Sequence, residues 1–228
     1  MRVRSGVSLL KGTILALCLV GAHSAFAQDL TIDDFTTGKS AILHYQSGSL
    51  NGATQTGNTN HLIGGTRSTN FNVVANPLHQ VSTFQFRPDV KNKQSAFVHN
   101  GAFYTASRVD MGYGAGEPMH ADFSTYRNDS NGLIRINFKG LTETLNFNIQ
   151  LFTGTTWAQG GCNIPAYPGD FSMELPLDKF VDNGVDFGDI TSINFIFQSS
   201  STIGAIEFAV SSIEVSKTPR LGAISCHF

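Results

Sequence analysis

In residues 145–152, apolar and amide side chains alternate without a break, in the order Leu-Asn-Phe-Asn-Ile-Gln-Leu-Phe. Because successive side chains of a β-strand point to opposite faces, this segment predicts a half-buried strand. Its apolar side chains belong to a core, and Asn146, Asn148 and Gln150 lie on the other face. That second face carries uncharged amides where Lys and Glu are commoner. The pattern therefore predicts a polar strand face that meets water or a ligand.

Short alternating segments of this kind recur along the chain, and Gly, Asn, Ser and Asp separate them. No stretch keeps a 3.6-residue period long enough to predict a major helix. The predicted strands cover residues 32–35, 41–45, 71–74, 81–86, 95–99, 102–108, 133–139, 145–152, 171–175, 190–198 and 203–215. This spacing is typical of an all-β, two-sheet antiparallel β-sandwich. Because neither a linker nor a repeat divides the chain, residues 28–228 are expected to form one such domain.

Several local features of the strands and loops also follow from the pattern. Residues 133–139 and 145–152 are predicted to pair as an antiparallel hairpin. In the last strand the apolar parity changes at Ser211 and Ser212, which predicts a β-bulge. Residues 47–60, rich in Ser, Gly, Asn and Thr, are expected to form a mobile surface loop, and residues 153–161 a Gly-rich loop that carries Trp157.

The N-terminus has the features of a secretory signal peptide. Three basic residues precede an apolar run over residues 13–22, and the small-x-small sequence Ala-Phe-Ala follows at 25–27. Cleavage after residue 27 would leave a mature chain that starts at Gln28. The apolar run is too short for a permanent span, so we expect a secreted or periplasmic protein with no membrane span.

The charge of the mature chain limits its partners. Without residues 1–27, 12 basic and 17 acidic residues remain, for a net charge of about −5 with His neutral. Neither this balance nor the 14% content of charged residues provides a basic stripe that would neutralise phosphates. Nucleic acid is therefore not expected as a partner.

Two cysteines, Cys162 and Cys226, remain once Cys18 leaves with the signal peptide. In an oxidising compartment such a pair is expected to form a disulfide, which would stabilise the fold by about 4 kcal/mol. Two free thiols are the alternative.

Four short motifs follow one another in a recognisable order. They are Ile32-Asp33-Asp34-Phe35-Thr36-Thr37-Gly38, Asp122-Phe123-Ser124-Thr125-Tyr126, residues 171–180 (FSMELPLDKF) and residues 190–195 (ITSINF) before a Gly-containing final strand. In this order they resemble secreted galactose-binding-like jelly rolls, the group that includes family 11 carbohydrate-binding modules and CIA30-like domains. The resemblance implies a sandwich in which the first and last strands lie together. It also implies a concave sheet face that accepts a glycan in the sugar-binding members.

The resemblance further implies a structural calcium near the joined first and last strands. Asp33 or Asp34 would supply a ligand to it. The alternative is that these two aspartates cap and solubilise an edge strand.

Candidate binding residues follow from the chemistry of sugar recognition. Sugars are bound by flat aromatic rings and by neutral or planar hydrogen-bonding groups. The predicted hairpin offers Arg135 and Asn137 from one strand and Asn146, Asn148 and Gln150 from the other. The aromatic platform would come from Tyr104, Tyr113, Tyr126, Trp157 or Tyr167, with Trp157 and Tyr126 preferred. Alternatively, the amides only wet an outer face and the aromatics pack against loops.

Motifs for catalysis are absent from the sequence: it contains no G-x-S-x-G, no H-E-x-x-H and no P-loop. A glycosidase would need two facing carboxyl groups, for which Asp110, Glu117, Asp122, Glu174 and Glu207 are available. We therefore expect an exported, non-catalytic carbohydrate-binding protein. An accessory or assembly protein that contacts another exported protein is the alternative, and a glycoside hydrolase is a third.

Overall fold

The structure is a computed structural model that describes residues 29–38, 41–45, 50–87, 96–199 and 204–226. The predicted signal peptide, residues 1–27, lies outside the described residues. Within these ranges, none of the helices is long and apolar enough to cross a membrane.

Two β-sheets pack face to face, which confirms the predicted sandwich. In chain order the strands are β1 (Leu30–Asp33), β2 (Ala41–Tyr45), β3 (Leu50–Thr56), β4 (Thr66–Ala75), β5 (Ser82–Arg87), β6 (Ala96–Asn100), β7 (Ala106–Tyr113), β8 (Leu133–Leu141), β9 (Leu145–Thr153), β10 (Thr156–Ile164), β11 (Phe171–Pro176), β12 (Val181–Asn183), β13 (Ser192–Ser199), β14 (Glu207–Ser216) and β15 (Ile224–Ser225). One short α-helix, α1 (Ser124–Arg127), and two 3-10 turns, Ile63–Gly65 and Leu177–Lys179, lie between strands.

The eight-stranded sheet has the order β15-β11-β8-β14-β6-β5-β2, with β1 beside β14, and the seven-stranded sheet has the order β12-β10-β9-β13-β7-β4-β3. The strands pair antiparallel except β11 and β15, which are parallel. Leu30 of β1 lies opposite Val215 of β14, so the first strand and the last long strand are neighbours, as the resemblance implies. The register of β14 shifts between Val210 and Ser212, which confirms the predicted bulge.

The core lies between the two sheets and is rich in phenylalanine. On β9, the apolar residues Leu145, Phe147 and Ile149 are all buried, as their alternation predicts. The ring of Phe197 lies 5.1 Å from that of Phe147 and 5.7 Å from that of Phe208, which comes from the opposite sheet. Burying one such ring contributes about 2 kcal/mol, so these contacts hold the two sheets together.

The predicted hairpin of β8 and β9 is wrong. β8 pairs with β11 and β14 in the eight-stranded sheet, whereas β9 pairs with β10 and β13 in the seven-stranded sheet. The connection therefore crosses from one sheet to the other. Thr142 anchors this crossing, because its hydroxyl donates to Ala205 O (3.0 Å) and accepts from Glu207 N (2.8 Å). Two consecutive amphipathic strands bury their apolar faces equally well side by side or face to face, so the alternation could not decide between the two arrangements.

Two predicted loops are largely strands. Residues 50–56 form β3, which pairs along its length with β4, and residues 156–161 belong to β10 between β9 and β12. β3 is an edge strand, which needs few apolar side chains because its backbone hydrogen bonds hold it in place, and β10 is covered on one side only by the three-residue strand β12, so polar composition indicated loops where the structure has strands at or near a sheet edge.

The predicted disulfide between Cys162 and Cys226 is confirmed, with the two Cα atoms 5.6 Å apart. Cys162 points inward from β10, and Cys226 follows β15 of the opposite sheet. The bridge therefore joins the two sheets covalently near one edge.

Candidate functional site

The outer surface of the seven-stranded sheet is the candidate site, and we call it the amide face. Outward positions on the neighbouring strands β10, β9 and β13, and on β4 beyond β7, carry amide side chains, none of which is buried in the core. They are Asn146, Asn148 and Gln150 of β9, Gln159 and Asn163 of β10, Asn194 and Gln198 of β13, and Asn70 and Asn72 of β4.

The antiparallel register arranges these side chains in rows that run across the strands. Three rows that begin on β10 are Gln159-Gln150-Asn194, Gly161-Asn148-Ile196 and Asn163-Asn146-Gln198. In one row, Asn146 Nδ2 donates to Asn163 Oδ1 at 3.1 Å. Side chains directly opposite one another in a sheet are close enough to bind one ligand together. Two of the rows therefore consist of amides with both donors and acceptors, whereas the row between them has one amide, Asn148, beside Gly161 and Ile196.

Farther along the same rows, β7 contributes a charged pair, Arg108 and Asp110. Arg108 Nε donates to both carboxylate oxygens of Asp110 at 2.9 Å, and Nη2 donates to Oδ1 at 2.7 Å. The hydrogen bonds to Asp110 raise the pKa of Arg108. Because the two charges neutralise each other, this pair adds polarity to the amide face without adding net charge.

Glycines create a trough in the amide face. A Cβ atom on Gly161 would lie 2.4 Å from Phe147 O and 3.0 Å from Asn148 Nδ2, and one on Gly52 would lie 2.9 Å from Asn70 Oδ1. The missing side chains therefore leave room for the neighbouring amides to lie across the adjacent strands.

One amide in this trough has an unsatisfied oxygen. Asn148 Oδ1 is buried and has no hydrogen-bond partner among the residues that the structure describes. Asn148 lines a surface pocket of about 340 Å³ together with Gln159, Asn163 and Val181. Leaving such an acceptor unpaired costs about 1–3 kcal/mol, so a rotation of the Asn148 side chain that brought this oxygen to a hydroxyl donor in the pocket would be favoured.

Trp157 lies on β10 instead of in a loop. It is half-buried, shares the outward parity of Gln159, and sits opposite Phe152 of β9 and Asn183 of β12. An indole ring at this place gives one end of the amide face an apolar surface beside the amide rows.

Arg135 and Asn137 lie on the other side of the sandwich, on the outer surface of the eight-stranded sheet. Arg135 is 1% exposed, and it donates to Glu174 Oε1 at 2.8 Å and to Glu214 Oε1 at 2.6 Å. It also contacts the carbonyl oxygen of Thr218, so it fastens the C-terminal segment to the sheet. The structure therefore does not bring Arg135 and Asn137 together with the predicted residues of β9.

The other predicted aromatic residues are also away from the amide face. Tyr126 belongs to α1, is almost buried, and lies 5.4 Å from the Lys217 ammonium group. Tyr113 is buried in the core, whereas Tyr104 and Tyr167 are exposed in loops.

The two predicted calcium ligands do not fit a calcium ion. Asp33 is fully buried, and its carboxylate accepts from Phe35 N (2.8 Å) and the Tyr113 hydroxyl (2.9 Å) and pairs with the Arg67 guanidinium. Burial raises the pKa of Asp33, and Arg67 opposes that rise. Calcium requires six to eight oxygen ligands, whereas here a fixed cation already occupies the carboxylate.

Asp34 is also engaged. Its carboxylate accepts from Thr36 N at 3.0 Å and contacts His61 Nδ1 at 2.6 Å. This agrees with the alternative that Asp34 caps the end of β1, but Asp33 is too deeply buried to solubilise it. Across the described ranges, no group of three or more His, Cys, Asp or Glu side chains is placed to hold a metal.

The sequence contained a signal for the residues that our prediction missed. Asn70-Phe71-Asn72 on β4 has the same order as Asn146-Phe147-Asn148 on β9, and Asn194-Phe195 on β13 repeats its first two residues. In all three strands Phe is buried and Asn faces outward. A search for the full Asn-Phe-Asn order would have linked β4 with β9, but Asn-Phe alone also occurs at Asn137-Phe138 on β8 of the opposite sheet, so it would not have singled out β13.

No family model matches the sequence, and neither does any curated protein. Among solved structures, the chain is similar to a family 30 carbohydrate-binding module of a cellulosomal cellulase of Clostridium thermocellum, at 14% identity and TM-score 0.46, over 85% of this chain and 99% of that one. It is also similar to a family 11 module of a cellulase of the same organism, at 12% identity and TM-score 0.41, over 87% of this chain and 99% of that one.

Longer proteins match over a smaller part of their length. An agarase, AgWH50C, aligns at 11% identity and TM-score 0.40, over 66% of this chain and 23% of the agarase. A second longer protein, PfGH50B, aligns at 14% identity and TM-score 0.37, over 55% of this chain and 21% of PfGH50B. Each of these is a likeness in overall shape at low sequence identity.

Proposed function

We propose that this protein is an exported carbohydrate-binding protein whose amide face binds a neutral oligosaccharide across its strands. The observation that carries the proposal is the set of amide rows on adjacent strands, with an indole at one end. Amides donate and accept hydrogen bonds without carrying charge, so they match sugar hydroxyls at a lower desolvation cost than ionised groups.

The length of the rows favours a chain of sugars over a single sugar. The rows run from β10 across β9, β13 and β7 to β4 and β3. At about 4.8 Å between neighbouring strands, six strands span about 24 Å. Trp157 would stack on a sugar ring near the β10 end, and the pocket beside Asn148 would receive a hydroxyl group.

The positions of the described carboxylates favour binding over hydrolysis. A glycosidase places two carboxyl groups on either side of one glycosidic bond. In the described amide rows the carboxylate is Asp110, which is held by Arg108. The other carboxylates offered by the sequence lie elsewhere: Glu174 pairs with Arg135, Asp122 accepts from Ser124, and Glu117 and Glu207 are exposed in other parts of the fold.

Export is part of the same proposal. The disulfide between Cys162 and Cys226 supports export, because disulfides form and persist mainly in oxidising compartments such as the periplasm or the extracellular space. We expect the protein isolated from the producing cell to begin at Gln28, and N-terminal sequencing tests this directly. A chain that retains residues 1–27 in the soluble cell fraction would contradict export.

The binding function is tested on a glycan array that includes mixed-linkage β-1,3-1,4-glucan, cello-oligosaccharides, agaro-oligosaccharides and xylan. The wild type is compared with Gln150→Ala/Asn194→Ala, which removes two neighbouring amides, and with Asn131→Ala, an exposed Asn in a turn away from the amide face. Each lost hydrogen bond is worth about 1 kcal/mol, so the double variant should bind about 10–30 times more weakly.

Equal binding by the wild type and the double variant would overturn the assignment of the amide face. If no glycan bound the wild type, carbohydrate binding would be rejected, and contact with another exported protein would become the leading function.

A further inference from the structure

The outer surface of the eight-stranded sheet carries two adjoining pockets, on the side opposite the amide face. Their volumes are about 400 Å³ and about 450 Å³, and Lys139 lines both. Pockets of this size are typical of small-molecule sites. Together they form one groove, which we call the rear groove, between the C-terminal segment and the loop that precedes β11.

The first pocket of the rear groove, of about 400 Å³, is lined by hydroxyl and amide groups that hold one another in position and by the charged Lys139, Asp170 and Arg220. The Ser172 hydroxyl donates to Asn137 Oδ1 at 2.7 Å, and Asn137 Nδ2 donates to the Ser212 hydroxyl oxygen at 2.7 Å. Arg220 Nη1 also donates to Asn137 Oδ1 at 2.7 Å, and it closes one end of the pocket. Because these side chains position each other, they would lose little conformational freedom when they bind a ligand.

The second pocket, of about 450 Å³, supplies an aromatic surface. Tyr167 exchanges two backbone hydrogen bonds with Leu141, at 2.8 Å and 3.0 Å, and its ring packs against Phe171 with a centroid distance of 5.0 Å. Even so, Tyr167 is 43% exposed. The ring is therefore supported by the core and held in place while it remains accessible, which is the arrangement that stacking on a sugar ring requires.

Hydrogen-bonding groups surround this ring. Asn100 and Glu207 lie opposite each other on β6 and β14, and both line the pocket with Thr142. Lys139 pairs with Asp170 at 2.6 Å where the two pockets meet, so its charge is balanced. The rear groove thus combines an accessible aromatic ring with hydroxyl, amide and carboxylate groups, as the amide face combines an indole with amides.

We propose that the rear groove is a second saccharide-binding site, so that one chain holds two glycan strands on opposite faces. This inference rests on the proposed function of the amide face. Two sites on opposite surfaces cannot bind the same short segment, because the core of the sandwich separates them. The protein would therefore cross-link polysaccharide chains, and its retention on a matrix of many chains would exceed that given by either site alone.

The first test measures cross-linking by sandwich capture. Mixed-linkage β-1,3-1,4-glucan, agarose and xylan are each immobilised in separate wells, the protein is added, and a fluorescein-labelled soluble form of the same polysaccharide follows. We expect the wild type to retain the label on at least one polysaccharide. Tyr167→Ala should bind the wells but retain no label, whereas Tyr104→Ala, which removes a tyrosine of matched exposure (44%) elsewhere, should behave as the wild type.

The second test counts sites on the monomeric protein by isothermal titration with hexasaccharides of the captured polysaccharide. We expect a stoichiometry of two per chain for the wild type and one for Tyr167→Ala. Trp157 is the only tryptophan in the chain and lies on the amide face, so its fluorescence should respond equally in both proteins.

The outcomes separate the two proposals. One site per chain that is lost in Gln150→Ala/Asn194→Ala and unchanged in Tyr167→Ala would overturn the rear groove and leave the amide face in place. One site that is lost only in Tyr167→Ala would overturn both the amide face and the two-site arrangement. Absence of binding to every probe would overturn both proposals together.

Discussion

At the scale of single residues, the buried pair of Asp33 and Arg67 carries the clearest consequence. Both side chains are almost inaccessible, and Arg67 also donates to Gln55 Oε1 at 3.0 Å and lies over the Phe86 ring. An ion pair in this position need not stabilise the fold relative to an apolar pair, but removing one partner leaves an uncompensated charge in the core.

We therefore expect Asp33→Asn to lower the free energy of unfolding by about 3–5 kcal/mol. Asp34→Asn, at the neighbouring and partly exposed carboxylate, is the control and should cost less than about 1 kcal/mol. Urea denaturation of both variants measures the difference. Because Arg67 holds Asp33, neither calcium nor a chelator should change the melting temperature of the wild type, and a rise with calcium would contradict this account.

His99 is a second residue whose environment fixes a measurable property. It is buried between the sheets, and its Nδ1 lies 3.1 Å from Thr83 O, which can only accept, so Nδ1 carries the hydrogen. Nε2 then accepts from the Ser107 hydroxyl at 2.9 Å. Burial lowers the pKa of His99 from 6.5 to about 4, so the ring is neutral in the folded protein at neutral pH.

A histidine whose pKa is lower in the folded state makes the fold less stable as the pH falls. In the unfolded chain the imidazole of His99 is protonated below about pH 6.5, whereas in the folded protein it stays neutral down to about pH 4. The free energy of unfolding therefore has its full value above about pH 6.5 and decreases as the pH falls through this window. The decrease is on the order of 3 kcal/mol. Urea denaturation between about pH 7.5 and pH 4 should therefore have a steeper pH dependence for the wild type than for His99→Leu. Parallel curves would contradict a buried neutral His99.

At the scale of strands, the alternation of side chains predicted which residues face inward but not which strands are neighbours; the pairing of β1 with β14 was expected only from the resemblance. The period of two in β9 correctly placed Phe147 in the core and Asn148 outside, because the pleat alone determines that alternation. One neighbour of β9 is β10, which follows it directly in the chain, but the other is β13, about 40 residues farther on, and no local pattern encodes that pairing. Arg135 was therefore predicted for the wrong surface, although its own strand was predicted correctly.

The segment from Thr218 to Cys226 is an element that depends on distant anchors. Its attachments are Arg135 to Thr218 O, Arg220 N to Glu174 Oε1 at 2.9 Å, and the disulfide at Cys226. The motifs of the resemblance end before this segment, so its position over the eight-stranded sheet was not predicted from them.

Cys162→Ser/Cys226→Ser should lower the free energy of unfolding by about 2–4 kcal/mol, because the bridge closes a loop of 64 residues. Glycan binding at the amide face should be preserved at temperatures where the variant stays folded, since the amide rows lie on the outer surface. Denaturation curves and titration of Trp157 fluorescence measure the two effects. A loss of amide-face binding in the folded variant would indicate that the disulfide positions the site as well as the fold.

At the scale of the whole molecule, the charge distribution predicts how binding depends on salt. Residues 28–228 carry a net charge of about −5 with His neutral, and the charges of the one ion pair in the described amide rows, Arg108 with Asp110, neutralise each other. Hydrogen bonds and stacking act over a few ångströms and are scarcely screened, whereas attraction between exposed charges weakens beyond a Debye length of about 10 Å at 0.1 M salt. Affinity for a neutral oligosaccharide should change less than about twofold between about 50 mM and 500 mM NaCl.

A polyanion such as heparin, tested beside it, should bind weakly at every salt concentration because the protein repels it. Strong heparin binding that falls with salt would mean that a cationic surface, and not the amide face, recognises the ligand.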